Sequence, residues 1–265
     1  MGQMPSHPEL LDWLAVNFRL SGWDIKKMNK LIVLSATYRQ DSRPSKDSRD
    51  KDPENRLLSH GPSGRLSAEM LRDNALMASG LLNASIGGKS VKPYQPEGLW
   101  EINNTSYTRD SGSAVYRRSV YVVIKRSVPN PTLATFDAGE RSYCLARRQK
   151  TNTPLQALVT LNDPTYLEAS LALGYQMAQN SNATQALTDC YRKLTGKQPA
   201  AKEVELLNQL REAELKKFKE HPEKGKGWLV AGQLNYSKTE NASTVAANAV
   251  VANTILNSDA SLSKR

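Results

Sequence analysis

Two prolines ten residues apart, Pro154 and Pro164, punctuate the longest helical run of this sequence. Proline suits the first turn of a helix, where its missing N–H has no intrahelical partner, and it cannot continue a helix already under way. Thr153 is a good N-cap, so a helix is expected from Pro154, with Leu155, Leu158, Val159 and, less neatly, Leu161 on its apolar side. Asn162-Asp163-Pro164 then breaks and restarts the helix through about Gln179. Three further helical patterns follow near 183–195, 200–220 and 241–257, with Gly196 as a C-cap and KKFKEHPEKGKG as a solvated loop.

The N-terminal part reads in the same way. SHPELLDWLAVNF opens with Ser6 as cap and Glu9 three residues later, as in a capping box, and Leu10, Leu11, Leu14 and Phe18 share one face. A second helix is expected from about Asp24 to Ala36, with Ile25, Met28, Leu31 and Ile32 inward. Ser67 caps a third, whose stripe is Met70, Leu71, Ala75 and Leu82. Residues 41–54 read as a charged loop and 90–113 as irregular chain. RRSVYVVIKRSV, Arg117 to Val128, is the one β-branched run. The expected class is mainly α: a helical domain with a small β element near residues 117–128. At 265 residues the chain reads as a single domain, 1–265, in which 183–265 is a C-terminal helical subregion.

Several chemistries have no signature here. Two cysteines, Cys144 and Cys190, are too few for a disulfide framework, although they could pair in an oxidising compartment. There is no C-x-x-C-H, no H-E-x-x-H, no phosphate-binding Gly-rich loop and no G-x-S-x-G. The three histidines share no ligand spacing, so neither a metal nor a cofactor is expected. No apolar run reaches membrane-spanning length, and the opening MGQMPSHPELL lacks the apolar stretch of a signal peptide.

The net charge is +10, and +6 of it falls between Val115 and Lys150. Arg117, Arg118, Arg126, Arg141, Arg147 and Arg148 are the candidate anion-binding residues, close to a helix N-terminus at Thr153. Guanidinium forks and free N–H groups suit carboxylate, phosphate or sulfate. The alternative is an internal network in which Asp137, Glu140 and carbonyls satisfy the arginines. Cys144, among these cations, reads as a small packing residue, since no histidine is near enough in sequence to serve as its base. Tyr94, Trp100 and Tyr107 are candidate ring-stacking residues for sugars, against the alternative that they pack the loop onto the helices. Basic residues and few interleaved aromatics make nucleic acid a third possibility, with no recognisable binding module.

SHPELLDWLA, LIVLSATYRQ, GRLSAEMLRD, GGKSVKPYQPEGLWE, YRRSVYVVIKRSVPNP, FDAGERSYCLARRQKTNTPLQAL and LNDPTYLEAS occur in that order. Together they resemble the domain-of-unknown-function family 1553, from about Met1 to the C-terminus. That family is the C-terminal module of planctomycete-type bacterial proteins that often carry a c-type cytochrome domain. The resemblance implies an extracytoplasmic, multi-domain parent, in the periplasm or outside the cell, and brings no established activity. The family pattern begins further upstream, so the chain is expected to lack an N-terminal segment. The leading expectation is a module of unknown activity that binds an anionic polysaccharide or other glycan, or other domains of its parent. The runner-up is a hydrolase acting on polysaccharide.

Overall fold

The computed structural model describes residues 4–101, 105–139, 141–145 and 148–264. They form two compact units: one contains the chain up to Gly64 together with Lys264, the other is Arg65–Ser263.

The first unit holds α1 (Pro8–Leu20), α2 (Ile25–Leu34) and α3 (Lys46–Lys51). His7, not Ser6, is the N-cap of α1, and the Ser6 hydroxyl instead meets His7 Nδ1 at 2.9 Å. Asp24 caps α2 by accepting from Lys27 N at 2.9 Å, and Ser45 caps α3 through Ser48 N at 3.0 Å, so part of the expected charged loop is helical. Phe18 and Trp23 meet edge to face at 5.2 Å. No residue of α1 or α2 is buried, so the faces read as inward do not form a core here.

The second unit is organised by α7 (Pro164–Ala178) and α11 (Ala242–Leu256). Both are buried nearly all round, which is the property of a helix at the centre of a bundle rather than on its rim. α11 meets α7 through small residues: Ala246, Ala247, Ala249 and Ala252 are fully buried beside Val245 and Val251. Around the pair lie α4 (Ala68–Ala78), α6 (Pro154–Asn162), α8 (Ala183–Thr195) and α9 (Ala201–Glu220). Buried asparagines fix the register: Asn253 Nδ2 donates to Thr160 O at 3.1 Å and to Ser170 Oγ at 3.3 Å, while Asn248 Oδ1 accepts from Arg211 Nε at 3.0 Å. The mainly α class therefore holds, with a small β element. The stretch KKFKEHPEKGKG is solvated as expected except at Phe218 and Gly225, which are buried together, and its first part is the end of α9.

Two expectations change in detail. From Arg117 to Val128 there is no continuous strand, only the isolated bridges Asn83–Arg117 and Val91–Val122 and the 3-10 turn Ser119–Tyr121, preceded by another at Gly112–Tyr116. The cause lies in α4. The buried Arg72 guanidinium donates to the carbonyls of Val115 and Arg117, and Asp73 accepts from both the N–H and the hydroxyl of Ser119 at 2.7 Å. Backbone groups that a ladder would use are taken by side chains. The genuine hairpin is Val230–Ala231 with Leu234–Asn235. In α6 the faces are reversed, with Gln156 and Thr160 buried and Leu155, Leu158 and Leu161 exposed. Gln156 Nε2 donates to Thr135 O at 2.8 Å and Thr160 Oγ1 to Asn257 Oδ1 at 2.6 Å, so hydrogen bonding overrides the apolar stripe.

Gly174 makes the closest approach of the central pair. A Cβ there would lie 2.6 Å from Ala249 N and 2.8 Å from Val245 O, both backbone atoms. Helix propensity alone favours Gly174→Ala by about 1 kcal/mol. Overpacking against backbone costs roughly 1–3 kcal/mol or more, so the substitution is expected to destabilise. Urea unfolding should show a lower midpoint with an unchanged slope; an unchanged or higher midpoint would mean that the helices can part without cost.

Candidate functional site

The irregular chain from Ser90 to Ser113 is folded on itself by a few bonds. Lys92 N donates to the Asp110 carboxylate at 2.7 Å, Asp110 N returns a bond to Lys92 O at 3.0 Å, and the Tyr107 hydroxyl donates to Pro93 O at 2.6 Å. These bonds bring together the three aromatic residues singled out in the sequence. Trp100 and Tyr107 meet edge to face at 4.9 Å, and Tyr94 joins them in the wall of a cleft of about 1090 Å³. That volume is slightly above the usual range for small-molecule sites, about 300–1,000 Å³.

The cleft is also lined by α5 (Pro131–Thr135) and by α6, through exposed Leu155 and Leu158 and half-buried Val159. Glu97, Glu101, Asn162, Asp163 and Arg109 supply its polar lining. Asp163 is the N-cap of α7; it accepts from Thr165 N at 2.8 Å and from the Thr132 hydroxyl, which ties α5 to α7. The rings carry cations. Lys125 Nζ lies 4.6 Å from the Trp100 ring, Lys92 Nζ 5.3 Å from it, and the Arg109 guanidinium 4.7 Å from Tyr94. Burial raises the Tyr94 and Tyr107 hydroxyls well above the ordinary phenol value, so both remain protonated donors.

Behind Tyr94 sits Glu168, fully buried on α7. Its Oε1 accepts from the Tyr94 hydroxyl at 2.7 Å, from the Tyr116 hydroxyl at 3.0 Å and from Gln233 N; its Oε2 has no hydrogen-bond partner among the described residues. Gly232, with φ +55°, lies against this cluster, and a Cβ there would overlap both the carboxyl and the Tyr94 hydroxyl. Gln233 also clasps Gly112, accepting from its N at 2.7 Å and donating to its O at 3.2 Å. Burial raises the Glu168 pKa; the bonds from Gln233, Tyr94 and Tyr116 and the charge of Arg109 only partly oppose it.

The six candidate anion-binding residues do not form one site. Arg117 is buried, donates to the carbonyls of Ser85, Gly87 and Lys89, and stacks at 3.9 Å on Tyr121. Arg118 and Arg126 are exposed and line none of the described cavities. Arg148 donates to both Glu69 oxygens at 2.8 Å. Burial works to raise the Glu69 pKa, but the Arg148 bond and charge prevail and hold it below the usual carboxylate value. Arg141 and Arg148 share two smaller pockets of about 340 and 350 Å³. Arg147 and Glu140 lie outside the described residues. Asp137 is occupied by the Thr151 N–H and hydroxyl. Cys144 is exposed rather than packed in, Cys190 is buried with its thiol pushed up to about 12, and both are free. Among the described residues no cluster has the makings of a metal site, and no helix is long and apolar enough to cross a membrane.

A family model described as "PSD1: Protein of unknown function (DUF1553)" matches residues 1–211. The chain belongs to this family. No curated protein and no solved structure matches it. The PSD1 match stops inside α9, short of the C-terminus to which the sequence resemblance was extended. The cleft lies wholly within the matched part, whereas α11 and the Gly232–Gln233 turn that back it up come after it.

Sequence reasoning missed Glu168, Gly232, Arg109 and the carboxylates of the cleft. Glu168 did leave a trace: in YLEASLALG it is the one charge within an otherwise apolar helical stretch.

Two outcomes are expected. Because the raised Glu168 pKa makes the folded state bind a proton more readily than the unfolded chain, its contribution is fully present below the ordinary value of 4.5 and is lost as pH rises through the folded pKa. Glu168→Gln removes this slope, so its stability relative to the parent should increase as the pH of urea titrations is raised above about 4.5; parallel pH profiles would refute the assignment. Separately, a chain ending at Arg211 loses α11 and should show no cooperative thermal transition, although it retains the whole PSD1 match.

Proposed function

We propose that the chain is a saccharide-binding module and that the cleft between the 94–109 loop and helices α5 and α6 is its site. The observation that carries this reading is the company kept in that cleft: Tyr94, Trp100 and Tyr107 beside Glu97, Glu101, Asp163 and Arg109. A sugar presents C–H faces that pack on rings, and hydroxyls that both donate and accept. Carboxylates supply acceptors, and a guanidinium supplies donors. Rings held by one another and by cations lose little freedom when a ligand arrives, which favours affinity. An extracytoplasmic, multi-domain parent is part of this proposal, and there a polysaccharide is an accessible ligand.

A second reading, a polysaccharide hydrolase, is favoured by the three carboxylates that share the cleft. Glycoside hydrolysis needs two such groups flanking the bond to be cleaved.

A glycan array followed by calorimetry on its hits tests the first reading. Trp100→Ala and Tyr107→Ala should each weaken binding at least tenfold, about 1.4 kcal/mol, while the unfolding midpoint shows whether the domain has kept its structure. No hit among neutral or acidic oligosaccharides would defeat the proposal. Incubation of the hits with the protein, with release of reducing ends as readout, tests the second; release that survives both Glu97→Gln and Glu101→Gln would exclude those two carboxylates from the chemistry.

A further inference from the structure

We infer that helices α1 and α2 join two copies of this chain, with α1 of each copy lying along α2 of the other. The ground is apolar surface that the chain itself leaves uncovered. On α1, Leu10, Leu11, Trp13, Val16 and Leu20 are 44–75% exposed. On α2, Ile25, Leu31, Ile32, Val33 and Leu34 are 40–66% exposed. Neither helix has a buried residue, and the two scarcely pack on each other. Together these side chains leave about 1,000 Å² uncovered, against roughly 300–600 Å² for the largest apolar patch of a typical monomer and roughly 800 Å² buried by each partner of a standard interface.

The charges say which partner fits. Helical spacing puts Glu9, Asp12, Trp13, Val16 and Leu20 on one side of α1, all exposed, with the acids first and the apolar residues after them. The same spacing puts Lys26, Lys30, Val33 and Leu34 on one side of α2, again exposed, with the charges first. The order is the same and the signs are opposite. Glu9 stands seven residues before Val16, and Lys26 seven before Val33, about two helical turns in each case. A parallel α1 and α2 therefore set Glu9 beside Lys26 and Val16 beside Val33 in one register. Neither the two acids nor the two lysines are in an ion pair among the described residues.

One chain cannot make this match with itself. It would need the start of α2 beside the start of α1, about 18 Å back along the helix axis and about 8–10 Å to the side. The four residues Ser21–Asp24 cannot reach that far at roughly 3.3–3.6 Å each. Between two copies related by a two-fold axis the match is free to form, and it forms twice. An anionic lipid surface also attracts amphipathic helices that carry lysines, but Glu9 and Asp12 oppose it here.

The test is sedimentation of the full chain over a range of concentrations. A species of twice 29.3 kDa should form reversibly. Val16→Asp should return it to monomer with its helical circular dichroism retained. Glu9→Lys and Lys26→Glu should each weaken the dimer at least tenfold, because each change counts twice by symmetry. Both changes in one chain should restore it, a rescue that a merely damaged helix would not show. A chain that is monomeric at every concentration overturns the inference, as does a dimer indifferent to Val16→Asp or a double variant no better than the singles. Monomer that floats with vesicles of phosphatidylcholine and phosphatidylglycerol overturns it too, and assigns the helices to a lipid surface.

Discussion

The second unit depends on two helices being able to touch backbone to backbone. Gly174 on α7 faces the Ala249 N–H and the Val245 carbonyl on α11, with no room for even a methyl group between them. The rest of α11 is composed to match, with alanines at its buried positions and polar ties from Asn248 and Asn253 that admit a single register. Small residues alone would let the pair slide. The asparagines remove that freedom, because any shift would leave buried amides without partners, at about 1–3 kcal/mol each.

From this pair the site is assembled outward. Asp163 and Glu168 stand on α7, so the same helix that forms the core fixes one end of α5 through Thr132 and holds Tyr94 through its hydroxyl. The aromatic wall of the cleft is carried by irregular chain, but its geometry is set by a helix. A loop hung on core side chains in this way can present rings and charges in fixed positions without any regular structure of its own.

The helices were legible because their signals are local. Pro154, Pro164 and Gly196 punctuate the sequence, and the patterns near 183–195, 200–220 and 241–257 match α8, α9 and α11 closely. The apparent strand at 117–128 was misleading because β-branched composition carries no information on where the backbone hydrogen bonds go; Arg72 and Asp73, more than 40 residues away, claim them. The reversed face of α6 has the same origin, since Gln156 and Thr160 are buried by partners that no periodicity reveals. Tyr94, Trp100 and Tyr107 were readable as a group, because they share one short segment. Arg109 could not be told apart from Arg117 by sequence, although Arg109 is exposed and Arg117 is buried with its donors on backbone carbonyls.

Gly174 and Ala249 are 75 residues apart. On a ribosome adding about 5–20 residues per second, α7 leaves the tunnel roughly 4–15 s before its main partner exists. During that interval α7 has α4, α6 and α8 to pack against but lacks the helix that covers most of it. The core of the second unit is therefore closed late, by the arrival of α11 rather than by any helix made before it.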